Sequence, residues 1–172
     1  MATLLPVNGV SPNIHESVWL APNATVVGQV EIGSNSTVWF SAVVRGDVAP
    51  IQLGEKVNIQ DGAVIHGTYQ KSETRLENGV SVGHNAIVHG CELKDRVLVG
   101  MGSVIMDHCV IGPNSIIAAG AVLPQGTIVP PGTIYGGVPA KKIKTVDTHL
   151  QKGEIERIAE NYLLYASWFK AK

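Results

Sequence analysis

The feature that most constrains this chain is a six-residue period. Ile14, Leu20, Val26, Ile32, Val38 and Val44 fall six apart without a break, and Leu53, Ile59 and Ile65 resume the series after three extra residues. Leu93, Val99, Ile105, Ile111, Ile117, Leu123, Val129 and Tyr135 then keep one register. Small residues often follow four positions later: Ser36, Ala42, Ala63, Ser103, Cys109, Ser115, Ala121 and Thr127. Six matches neither the 3.6-residue turn of a helix nor the two-residue alternation of a strand. It suits a coil in which each hexad is a short strand plus a turn. Three hexads close a triangular rung of about 18 residues, and each ladder residue stacks inward on its equivalent one rung away. This predicts an all-β parallel β-helix solenoid. A β-sandwich has no reason to hold such a register over eight repeats.

Composition agrees with that architecture. The chain has 172 residues, one domain's worth, and 45% are apolar while only 5% are aromatic. The apolar content is aliphatic, with 23 Val and 15 Ile, and 19 Gly and 9 Pro supply turns. Basic and acidic residues nearly balance, 13 against 14. That argues against a basic nucleic-acid binder and a polybasic membrane anchor. No apolar run approaches the ~20 residues of a membrane span. The first residues lack a basic, apolar leader, and Cys91 and Cys109 are the only thiols. A cytoplasmic location is expected. The β-helix is predicted over 1–146. In 147–172, Ile155, Ile158, Tyr162, Tyr165, Ala166 and Phe169 recur at helical spacing, which predicts an amphipathic helix over roughly 148–170, packed on a flank of the coil.

The ladder breaks in few places. Three extra residues sit around Arg45-Gly46-Asp47, a polar segment within about 67–79 is expected to project as a loop, and the register slips by one between Val82 and Leu93. Loops on a rigid scaffold are where function concentrates. His66, His84 and His89 flank these breaks, and none occupies a ladder position, so all three should point off the prism. Three neutral imidazoles plus water form an open catalytic zinc site.

The chain resembles the gamma-class carbonic anhydrases and their bacterial hexapeptide-repeat relatives over about residues 8–170. Val44-Arg45-Gly46-Asp47 and Asn58-Ile59-Gln60-Asp61 are similar to family motifs, as are His66, Gly83-His84, His89-Gly90-Cys91, Val99–Ser103 and Tyr135–Lys141. The resemblance implies a left-handed coil and a homotrimer with metal sites between subunits. It implies His66, His84 and His89 as ligands of Zn²⁺, with Fe²⁺ or Co²⁺ feasible. On this reading His84 and His89 act together in one chain and His66 serves the metal shared with its neighbour. Arg45, Asp47 and Asp61 hold the interface. The implied activity is reversible hydration of CO₂ to bicarbonate by a metal-bound hydroxide, with no nucleic acid or membrane partner. Gln60 is assigned to orient the reacting oxygen, Asn58 to back it from the same strand, and Tyr135 to donate at the rim. The family's archaeal prototype has a Glu after the RGD, where this chain has Val48. Glu73 and Glu77 are the loop's only acids and the candidate proton shuttle, so slow hydration or none is expected. The alternatives are a metal-dependent acyl-CoA thioesterase, a hexapeptide acyltransferase, or a non-catalytic zinc-bound trimeric scaffold.

Overall fold

The computed structural model describes residues 1–169. The chain forms a left-handed parallel β-helix of about seven turns followed by a single C-terminal helical segment. Ladder residues stack in three columns, one per face of the prism. Val26, Val44, Ile65, Val88, Ile105 and Leu123 form the first. Ile32, Leu53, Leu76, Leu93, Ile111 and Val129 form the second. Leu20, Val38, Ile59, Val82, Val99, Ile117 and Tyr135 form the third. Most are wholly buried, as are the small residues Ala42, Ala63, Ser103, Cys109, Ser115 and Ala121. Burying each Ile or Leu removes its side chain from water at a gain of about 1.5–3 kcal/mol, and parallel backbone bonds tie each rung to the next. Cys91 and Cys109 are free thiols stacked within this interior. Burial pushes the Cys91 thiol well above its usual range, followed in importance by the neighbouring Cys109.

Rung length is not constant. Val44 pairs with Ile65, 21 positions on, and Ile65 pairs with Val88, 23 positions on. Val88 pairs with Ile105 after 17 residues, and Ile105 pairs with Leu123 after the regular 18. All of this variation falls at one corner, where the chain passes from the first column to the second. The three extra residues lie within the long strand Val43–Leu53. The projecting loop is shorter than the sequence predicted. Thr74–Leu76 is a strand paired with both neighbouring rungs, so the projection ends near residue 73. Thr74 and Leu76 are buried, which ties that stretch to the wall. The one-residue slip falls at Gly90, whose φ of 56° turns the corner in the left-handed region.

The C-terminal segment begins with an antiparallel return, Ala140–Thr145 on Thr133–Gly137. Asp147 caps the helix by accepting from the Leu150 backbone N–H at 2.8 Å. The helical stretch runs as Thr148–Leu150, a wider π-turn at Gln151–Glu156, and Arg157–Ser167. The last three residues of the predicted 147–172 unit lie outside the described residues. Ile155 and Ala166 are buried against the flank of the coil. Trp39 stacks edge-on with Tyr162 at 5.1 Å, and Trp19 packs on Phe169 at 5.2 Å. Among the described residues no helix is long and apolar enough to cross a membrane.

Candidate metal centre

The variable rung lengths decide which histidines meet. His66 and His84 are 18 apart, a regular rung, but the rung that starts at His66 has 23 residues. The residue above His66 is therefore His89, its register partner. His66 Nδ1 lies 3.1 Å from His89 Nε2. The expected pairing of His84 with His89 is not what the fold gives. His84 sits at the corner between the third and first columns, after Ser81–Val82, on a different edge of the prism.

At the first corner four side chains stack on four successive rungs. Asp47 Oδ1 lies 3.0 Å from His66 Nε2, and Asp107 Oδ2 lies 3.1 Å from His89 Nδ1. A carboxylate on the outer nitrogen of each ring fixes the N–H there. The inner nitrogens, His66 Nδ1 and His89 Nε2, then present lone pairs to one another. Two lone pairs at this separation repel unless a proton or a cation lies between them. Tetrahedral zinc bonds to imidazole of 2.0–2.1 Å place ligand nitrogens about 3.3 Å apart, so the pair fits one edge of such a site. Burial would raise the Asp47 carboxyl, but hydrogen bonds from His66 and Arg45 and the Arg45 charge outweigh it and hold it below the usual range. Burial also opposes ionisation of Asp107, yet Ser72, Thr68 and His89 hold it at about 2. Both outer groups are anionic acceptors at neutral pH.

His84 repeats half of this pattern. Its Nδ1 lies 2.9 Å from Asp61 Oδ2, one rung below. Its Nε2 faces the Tyr162 hydroxyl at 3.2 Å, brought in by the C-terminal helix. Burial, then the Asp61 charge and Tyr165, push the Tyr162 hydroxyl up to about 12, so it is protonated and donates. Among the described residues no three His, Cys, Asp or Glu side chains converge to hold a metal ion. A three-imidazole site is thus not assembled among the described residues of one chain.

The other sequence candidates fall as follows. Asn58 and Gln60 are both buried, and Gln60 Nε2 donates to Asn58 Oδ1 at 3.0 Å. Asn58 Nδ2 in turn donates to Ser81 Oγ at 2.7 Å. Gln60 and His84 share the lining of a cavity of about 500 Å³ beneath the C-terminal helix, with Tyr162 and Tyr165 on its far side. Tyr135 packs on the ladder above Ile117, and Tyr162, not Tyr135, reaches a histidine. Arg45 and Asp47 pair at 2.5 Å within the chain, while Asp61 serves His84 at the other corner. Glu77 belongs to the wall, 3.0 Å from Lys94 Nζ and accepting from the Asp95 backbone N–H at 3.2 Å. Glu73 stays exposed at the end of the loop. Sequence reasoning missed Asp107 and the role of Tyr162. Asp107 lies 18 residues after His89, a spacing that a rung-by-rung search for acceptors would have found.

The family model described as bacterial transferase hexapeptide, six repeats, matches residues 11–46 and 90–125. A carbonic anhydrase of Geobacillus kaustophilus is 42% identical over 98% of this chain and 91% of its own length. Gamma carbonic anhydrase 2, mitochondrial, of Arabidopsis thaliana is 37% identical over 94% of this chain, which spans 59% of that protein. The crystal structure of a hexapeptide transferase family protein from Anaplasma phagocytophilum is 37% identical, with a TM-score of 0.92 over 97% of this chain and 98% of that one.

Proposed function

Because this chain belongs to the gamma-class carbonic anhydrase-like family of hexapeptide-repeat proteins, we propose that it is a metal-dependent hydratase converting CO₂ to bicarbonate between the subunits of a homotrimer. The observation that carries this reading is the His66–His89 pair, with inner nitrogens 3.1 Å apart and a carboxylate behind each ring. His66 and His89 of one chain and His84 of the next would hold Zn²⁺, with Fe²⁺ or Co²⁺ as alternatives. When bound, the cation lowers the pKa of water and supplies hydroxide at neutral pH.

The chain's own residues do the rest. Asp47, Asp61 and Asp107 keep the imidazole protons on the outer nitrogens. Asn58, anchored by Ser81, holds the Gln60 amide in one orientation, and Gln60 positions the oxygen that attacks or the bicarbonate that leaves. The helix carrying Tyr162 and Tyr165 covers the cavity beside His84 and limits water there. Of the two candidate shuttle acids only Glu73 is left to move a proton to solvent, so turnover is expected to be slow.

The test is stopped-flow CO₂ hydration on purified protein, metal-loaded and then chelated, with bound metal counted per chain. Chelator-sensitive hydration at about one metal per chain supports the reading. A mixed-chain experiment locates the site. His84→Ala and His89→Ala chains, each inactive alone, regain part of the activity when refolded together, because a mixed trimer rebuilds a complete ligand set. Full metal occupancy without hydration would turn the reading toward thioester hydrolysis, acyl transfer or a structural trimer, and an acyl-CoA panel separates those three.

A further inference from the structure

We infer that Asp107 is the positioning residue of His89, and that the Gly67–Glu73 loop exists to hold Asp107 in place. The inference rests on the metal reading above and adds to it a residue and a segment.

Three donors converge on the one carboxylate. His89 Nδ1 approaches Oδ2 at 3.1 Å, Thr68 Oγ1 donates to Oδ1 at 2.7 Å, and Ser72 Oγ donates to the same Oδ1. The hydroxyls come from the rung of His66, two rungs below Asp107, so the loop reaches across the rung of His89 to brace it. The brace is closed on itself. Thr68 N–H donates to the Ser72 carbonyl at 3.1 Å, and Ser72 N–H donates to the Thr68 carbonyl at 3.1 Å. Tyr69 to Lys71 at the tip and Glu73 at the end are exposed, while Ser72 between them is buried. Gly90 leaves the room this needs, because a Cβ there would overlap both Ser72 Oγ and Asp107 Oδ1. Thr74 completes the link, with its hydroxyl donating to the His66 carbonyl and accepting from the Gly90 N–H at 2.9 Å.

A side chain with no role at the site has no need of two hydroxyls from a loop on another rung. The chemical consequence is a fixed tautomer. With an anionic acceptor at Nδ1, the neutral His89 ring carries its proton there and keeps the Nε2 lone pair turned toward His66 Nδ1. Without the acceptor the two tautomers exchange, and a ring proton occupies Nε2 in part of the population.

The test uses the metal-free full-length protein, labelled with ¹⁵N-histidine, at a pH of about 8, above the reference imidazole value of about 6.5. Long-range ¹H–¹⁵N spectra report which ring nitrogen is protonated. His89 of the wild type is expected to be Nδ1–H. Asp107→Ala and the Thr68→Ala, Ser72→Ala double variant are expected to shift His89 toward a mixture. Asp107→Asn, which keeps an acceptor oxygen, restores most of the Nδ1–H form. In a second arm, Zn²⁺ affinity by chelator competition is expected to fall about 10–100-fold for Asp107→Ala and less for the hydroxyl variants. If Asp107→Ala fails to fold, the hydroxyl variants and Asp107→Asn carry the test. A wild-type His89 protonated on Nε2 overturns the inference, as do variants that keep both the wild-type tautomer and affinity. A chain that binds no Zn²⁺ but shows the tautomer shift in its variants sinks the metal reading and leaves Asp107 as the positioning residue.

Discussion

The corner that carries His66 and His89 changes length from rung to rung, whereas the corner that carries His84 never departs from the hexad. Ile59 to Ile65, Val82 to Val88 and Val99 to Ile105 are all six-residue steps through the His84 corner. At the other corner the steps are longer at Arg45 and at the loop and shorter at Gly90, and there the chain stacks Asp47, His66, His89 and Asp107 on four successive rungs. The variable corner thus assembles two imidazoles with their acceptors within one chain. The regular corner offers one imidazole and one carboxylate, and borrows its third group, Tyr162, from the helix. On the proposed function, the two corners would be unequal halves of one site: a preorganised pair, and a single imidazole that a second copy would complete.

Removing one ligand from each half tests that inequality most severely. His84→Ala leaves the preset His66–His89 pair, so weak metal binding survives. His89→Ala leaves two imidazoles on separate chains, which must be brought together at the cost of association. Structural zinc sites gain about 10–16 kcal/mol from roughly four ligands, about 3 kcal/mol each, so either variant loses at least about 100-fold. His89→Ala is expected to lose a further tenfold or more. Competition with a chromophoric chelator measures both. Equal losses would mean that the two corners contribute alike and that the pair is not preorganised.

Gln60 distinguishes holding the metal from using it. It touches neither imidazole corner's hydrogen bonds, yet it lines the cavity beside His84. Gln60→Ala is expected to keep metal stoichiometry and to slow any hydration by roughly 10–1,000-fold, the range for losing one positioned polar group. Unchanged turnover in a fully loaded variant removes Gln60 from the reaction.

How far the sequence reached follows the same division. The ladder was legible because an inward position must be apolar and of fixed spacing, or the stack of Ile and Val cannot close. Rung length was legible as breaks in the ladder, but a residue added outside a corner leaves the interior columns intact and does not say which outward side chains then stack. The resemblance joined His84 with His89, while the 23-residue rung stacks His89 on His66. Thr74 and Leu76 were hidden for the opposite reason. Both point inward on either side of the exposed Arg75, as in any strand, but they lie within a run of Gln, Lys, Ser, Glu and Arg that reads as loop. Tyr162 was visible only as part of a helical stripe, since periodicity reports that a face is buried and not what its hydroxyl meets.

Glycines compare the corners through backbone and contact alone. Gly90 and Gly102 both adopt left-handed conformations, with φ of 56° and 65°. A Cβ at Gly102 meets nothing within 4 Å, so Gly102→Ala costs only the backbone strain, about 1–2 kcal/mol. Gly90→Ala bears the same strain and also displaces Ser72 Oγ and Asp107 Oδ1, for roughly 2–4 kcal/mol in all. Denaturant melts of the two variants give the difference, and a Gly102 variant as damaged as the Gly90 variant would remove the special crowding claimed for the variable corner.

The smallest effect lies in the Tyr162 hydroxyl. It donates to His84 Nε2 at 3.2 Å, the only nitrogen of that ring not committed to Asp61. On the proposed metal reading, a cation that takes this nitrogen would have to displace the hydroxyl, so Tyr162 would compete with it for one lone pair. The net worth of such a bond is about 0.5–1.5 kcal/mol. Tyr162→Phe keeps the ring that packs edge-on against Trp39 and removes only the competitor. Metal affinity is expected to rise about 2–10-fold, with stability changed by no more than that bond. A fall in affinity would reverse the assignment, since it would mean that the hydroxyl supports His84 in its ligating position, and the regular corner would then be as fully braced as the variable one.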